Sequence, residues 1–207
     1  MVKRGMIPNR EKKMKVIGIT GGTGAGKSTV CAELKKRGAE IIDADAISRQ
    51  VSQKGGIAFD EIVEGFGTEI LNDLGEIDRR ALGKIVFNDT EKLSLLNGIT
   101  HKHIFAEMER RMKLCTAKIA VLDVPLLFDK DFPLHCDLTV AIIAEPEIRL
   151  KRIMARDGIT YDAAVARMKN QISDEDYARL ADICVANNGG AENTALLAEK
   201  IIKEAEK

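Results

Sequence analysis

The sequence predicts an α/β fold in which three layers, α/β/α, form around a five-stranded parallel sheet that also carries a helical insertion and a helical lid. Three observations predict it. Residues Gly21 to Thr29 read Gly-Gly-Thr-Gly-Ala-Gly-Lys-Ser-Thr and match the phosphate-loop (P-loop) pattern G-x-x-x-x-G-K-[ST], with an apolar β-rich run before it and a helical pattern after it. Short apolar runs recur along the chain, most of them followed by a helical pattern, which is the alternation that builds parallel sheets. Across residues 55–115, by contrast, the strand signal disappears and helical stretches follow one another.

Composition bounds the reading. The 207 residues suit one domain, and 45% hydrophobic content is enough for a core. Lys+Arg and Asp+Glu both number 32 and there is no Trp, which argues against nucleic acid as a partner. Cys31, Cys115, Cys136 and Cys184 form no C-x-x-C pair and read as reduced thiols. Apolar stretches such as Val140 to Ala144 are too short to span a membrane. Residues 1–13 are basic without the apolar centre of a secretory signal, so they are expected to be a disordered extension, with Met14 as the natural start. A cytoplasmic monomer is the default expectation, with an oligomer left open.

The first strand, Lys15 to Thr20, runs into the loop, and the helix beyond it is expected from Ser28 to Arg37. Loop glycines let successive N–H groups converge on one polyphosphate, with the positive end of the next helix behind them. Gly22, Thr23, Gly24, Ala25, Gly26, Lys27, Ser28 and Thr29 are therefore expected to hold ATP. Lys27 supplies a charge for the β- and γ-phosphates, and the Ser28 hydroxyl is placed to ligate Mg²⁺. A chance match to this pattern in a chain this long is expected roughly once in a hundred sequences, and the correct flanks lower that further.

Gly38 closes the helix, and Ala39 to Asp43 reads as the second strand. It ends on Asp43 and Asp45, whose two-residue spacing in an extended segment would send both side chains toward the phosphates. Asp45 is expected to be a catalytic base; the plainer alternative is that it only caps a helix over Ala46 to Ser52.

In the insertion, helices are expected at Ile57 to Phe66, Arg79 to Phe87 with Asp78 as cap, and Thr90 to Leu114. Arg79 is a candidate anion ligand there, while His101 and His103 diverge on their helix, so a metal pair is not expected and His103 reads as a surface residue. Ala117 to Val124 is a buried-type strand stopped by Pro125. Its Asp123 has the position of a Walker B carboxylate, or else begins the following turn. Leu138 to Ala144 is the fourth strand and Pro146 to Arg156 the helix after it.

On that helix Arg149 lies four residues after Glu145, and Lys151 four after Glu147, so both cations are expected in surface ion pairs. Arg152 and Arg156 lack such partners and stack as like charges, which an anion would relieve. With a helix over Asp162 to Ile172 they resemble a lid closing cations over a nucleotide. A fifth strand at Ala181 to Ala186, a turn through Asn187 and Asn188, and a helix over Ala191 to Glu206 complete the chain. The division expected is a single P-loop domain over residues 14–207, with core 14–54, 116–145 and 181–207, insertion about 55–115 and lid about 146–180.

Together these residues resemble the dephospho-coenzyme A kinase family of P-loop proteins. The resemblance is carried by Ile17 to Val30, Ile42-Asp-Ala-Asp45, Arg79-Arg-Ala-Leu82, Val124-Pro-Leu-Leu-Phe128, Leu150-Lys-Arg152, Arg156-Asp157, Ala181-Asp182 and Asn187-Asn-Gly189. It implies transfer of the γ-phosphoryl of ATP to the ribose 3′-hydroxyl of dephospho-CoA, with Mg²⁺. It also implies Asp45 as base, Lys27 and Arg152 as catalytic cations, Arg156 and Asn188 on the nucleotide, and Asp43, Arg79, His101, Pro125 and Leu126 on the acceptor. Asp129 stands where the family usually has Glu, and His101-Lys102 where it has His-Pro. Two rival readings are a nucleotide-binding regulatory switch, against which no Asn-Lys-x-Asp guanine signature occurs, and a kinase of another small hydroxylated metabolite.

Overall fold

The computed structural model describes residues 14–207 other than 88, 130 and 170, so the expectation for residues 1–13 lies outside the described residues. Five parallel strands form one sheet in the order β2-β3-β1-β4-β5. They are β1 Lys15–Gly21, β2 Glu40–Asp43, β3 Ile119–Asp123, β4 Leu138–Ile143 and β5 Ile183–Ala186. The central β1 pairs with β3, Ile17 opposite Val121, and with β4, Ile19 opposite Val140. Because β1 is central, the loop that leaves it opens at the middle of the sheet's carboxyl edge, with strand ends on either side.

Both faces are covered, which is why the strands read as apolar runs. On one face α1, Lys27–Lys36, and α9, Ala191–Ala205, pack Val30, Leu34, Ala198 and Ile201 against Ile17, Ile19 and Val140. On the other lie α2, Ala44–Ser52; α3, Phe59–Phe66; α4, Arg79–Val86; and α5, Thr90–Leu114. Ile42 and Leu122 of the sheet meet Ile47, Ile62, Ile104 and Met108 there. Asp78 caps α4 as expected, accepting the amides of Arg80 and Ala81, and Asp89 caps α5 through Glu91 and Lys92.

A smaller apolar cluster of Leu150, Ile153 and Ala164 joins α6, Pro146–Asp157, to α7, Tyr161–Lys169. The chain then makes a helix the sequence did not signal, α8, Asp174–Leu180. Ser173 caps it, and its Tyr177 is buried against Phe128, ring centres 6.4 Å apart. Its seven residues are too short for an apolar period to stand out.

The second correction bears on the site. Helix α2 begins at Ala44, two residues before its expected start, and its cap is Asp43, whose Oδ1 accepts the Ala46 amide at 2.9 Å. The capping alternative for Asp45 is therefore wrong. So is the argument from an extended segment, since the chain turns helical between the two acids.

Candidate active site

The phosphate loop curls through Gly24 and Gly26, at φ 78° and 85°, values that favour glycine. Lys27 opens α1 and its ammonium pairs with the carboxylate of Asp123, a buried residue at the end of β3. The other Asp123 oxygen accepts from the Cys31 thiol at 3.6 Å. Of the two readings of Asp123, the structure supports the Walker B placement.

A cavity of about 800 Å³ opens over the loop. Of the residues expected on the nucleotide, Gly22, Thr23, Gly24, Gly26, Lys27, Ser28, Thr29 and Arg156 line it, together with Asp45 and Arg152. Ala25 is fully buried beneath, and its carbonyl accepts from the Asn187 side-chain Nδ2 at 3.0 Å. Asn188 does not line the cavity: its side chain accepts from the Glu145 amide at 2.9 Å and donates to the Glu145 carboxylate at 3.0 Å. Asn187 lines it instead. The first asparagine after β5 continues the strand's alternation and turns inward, so the second turns out.

A neighbouring cavity of about 470 Å³ lies between the sheet edge and the insertion helices. It gathers Arg79, His101, Pro125 and Leu126 of the expected acceptor residues, with an apolar wall of Ile62, Leu82, Ile104 and Phe132. Asp43 is not in it; it lines the loop cavity and caps α2. Asp45 and Pro125 are shared by both cavities. His103 is half-buried and bonded to Glu61 at 2.8 Å, a correction to its surface reading.

The lid cations also differ from expectation. Arg149 forms no pair with Glu145; it is 5% exposed, and its guanidinium donates to the Thr23 carbonyl at 3.0 Å, Gln171 at 3.1 Å and Asp174 at 3.2 Å. Charge spacing hid this. Apolar spacing would have found it, because Arg149 lies four residues before the buried Ile153 and beside Leu150. Arg152 donates to the carbonyls of Asn187 at 3.0 Å and Gly24 at 3.3 Å, and Arg156 pairs with Asp157 at 2.7 Å. Their like charge is thus relieved within the chain. Arg49, not anticipated, lines the loop cavity one turn beyond Asp45.

Burial raises the Asp45 pKa above the ordinary carboxylate value; Lys27 opposes the shift, and the negative charges of Asp43 and Asp123 add to it. A carboxylate made more basic at the junction of two cavities can take a proton from a hydroxyl in one while a polyphosphate is held in the other. Around the loop cavity Ser28, Asp43, Asp45 and Asp123 present oxygen donors, the set a hard divalent cation prefers. Burial and the Asp123 charge raise the pKa of the neighbouring Cys31 thiol. Among the described residues no three acidic, histidine or cysteine side chains cluster as a metal site of their own, so the chemistry suits Mg²⁺ only with water and phosphate oxygens completing its shell.

A family model described as dephospho-CoA kinase matches residues 15–193. The dephospho-CoA kinase of Carboxydothermus hydrogenoformans is 41% identical over 182 residues, 86% of this chain and 88% of that protein. That of Corynebacterium efficiens is 42% identical over 191 residues, 91% and 96%. A crystal structure from Thermus thermophilus superposes with a TM-score of 0.82 at 30% identity, covering 92% of this chain and 97% of that one.

Proposed function

The chain belongs to the dephospho-CoA kinase family, and from that premise we propose that it moves the γ-phosphoryl group of ATP onto the ribose 3′-hydroxyl of dephospho-CoA, the final step of coenzyme A synthesis. The observation that carries the reading is the sharing of Asp45 by the two cavities. The loop cavity takes ATP, with backbone amides and Lys27 on its phosphates. The insertion, about 55–115, receives the acceptor, with Arg79 for an anionic group and the apolar wall for the uncharged parts. Asp45 accepts the hydroxyl proton as that oxygen attacks. Arg152 and Arg156, on the lid of about 146–180, place positive charge beside the loop, where charge on the transferring group would be stabilised.

Mg²⁺ would be held by Ser28, with Asp123 the best-placed carboxylate, and would supply charge neutralisation of the polyphosphate. Among the described residues no helix is long and apolar enough to cross a membrane. The four cysteines are free, which supports a reducing compartment, the cytoplasm.

The test is ADP release from ATP with dephospho-CoA against a panel of nucleosides, nucleotides and sugars. Dephospho-CoA should be preferred by orders of magnitude in kcat/KM, and an equal or better rate with another acceptor would replace the assignment.

A further inference from the structure

Arg149 lies under the first half of the phosphate loop and lines neither cavity. Its Nε donates to the Thr23 carbonyl at 3.0 Å and one terminal nitrogen to Gln171 Oε1 at 3.1 Å. The same Gln171 oxygen accepts the Thr23 amide at 2.8 Å. Both polar groups of the Thr23 backbone are thus tied to two side chains from the lid region, and Asp174 holds the third arm of the guanidinium at 3.2 Å. The neighbouring glycines bear this out. A Cβ at Gly22 would stand 2.3 Å from an Arg149 nitrogen, and one at Gly24 2.7 Å from the Arg149 carbonyl.

A loop that binds phosphate through converging amides gains affinity when its curl is set before the ligand arrives. With Arg149 only 5% exposed, its charge also acts on the loop with little solvent screening. We propose that Arg149 and Gln171 are positioning residues for the nucleotide: they pin Thr23, hold the loop in its binding shape and couple it to the lid region. The inference rests on the loop being the ATP site. Arg149 lines neither cavity, whereas Gln171 reaches the rim of the loop cavity, so Arg149→Lys is the variant that tests positioning without direct contact.

The experiment is calorimetric titration of the full chain with MgATP, with melting temperature and the KM of each substrate measured in parallel. Gln171 is exposed, so Gln171→Leu should fold with a near-native melting temperature. It should weaken ATP roughly tenfold, the scale of one or two lost hydrogen bonds, and leave the KM for dephospho-CoA in place. Arg149→Lys cannot reach three acceptors at once and should weaken ATP similarly. The double variant should be little worse than either single, because each breaks the same pin. Wild-type affinity in folded Gln171→Leu, or additive losses in the double variant, would overturn the inference while leaving the ATP site intact. Failure of the wild type to bind ATP would instead overturn the site reading and this inference with it.

Discussion

Asp43 accepts the Ala46 amide at 2.9 Å, and so the second acid of the Asp-Ala-Asp stretch, Asp45, is left free at the junction of the two cavities. One acid holds the helix and the other faces both ligands, a division that spacing along the chain could not reveal.

The two acids should therefore separate in experiment. Asp45→Asn removes the base without touching the cap, and kcat should fall roughly 10²–10⁴-fold with an unchanged melting temperature. Asp43→Ala should cost about 1 kcal/mol of stability through loss of the cap. Urea denaturation and steady-state kinetics on both variants check this; an Asp45→Asn protein of native activity would remove it from the mechanism.

The arginines of α6 should separate as well. Arg149→Ala strips a buried guanidinium from three acceptors and should cost about 2 kcal/mol or more of stability. Arg152 is only half-buried and donates only to neutral backbone carbonyls, so Arg152→Ala should cost about 1 kcal/mol. Its loss should appear as lowered kcat, beyond any rise in the KM for ATP, if its charge acts mainly on the transition state. Equal kinetic damage from Arg152→Ala and from removal of an exposed lid cation such as Lys151 would show that total charge alone matters.

Two of the four thiols, Cys31 and Cys136, should be inert in the folded protein. Burial and the Asp123 charge raise the Cys31 pKa far above that of a free thiol, and burial pushes Cys136 up to about 11. Because the thiolate is the nucleophile, both should resist iodoacetamide at pH 8 and react only on denaturation, as mass spectrometry of the alkylated peptides would report. Rapid native labelling of Cys31 would contradict the buried contact with Asp123.

Much of this was legible in the sequence, and unevenly so. Gly21 to Thr29, the strand ends at Asp43 and Asp123, and the cap Asp78 stand where residue chemistry and local spacing place them. Strand order was not legible, because parallel pairing joins segments as distant as Ile17 and Val121. Arg149 misled because a glutamate four residues upstream is a sufficient local partner, whereas α6 turns that side chain inward with Ile153, and Glu145 bonds to Asn188 instead. Asn187 and Asn188 could be told apart only by the twist of the chain leaving β5.

The most direct measurement is product analysis after a single turnover, with enzyme in excess over ATP and dephospho-CoA present. Phosphorus NMR and mass spectrometry should find ADP and coenzyme A in equal amounts, the new phosphomonoester on the ribose 3′-oxygen and no free phosphate. ADP with inorganic phosphate and unchanged dephospho-CoA would mean that the loop serves hydrolysis alone, contradicting direct transfer between two cavities that meet at Asp45.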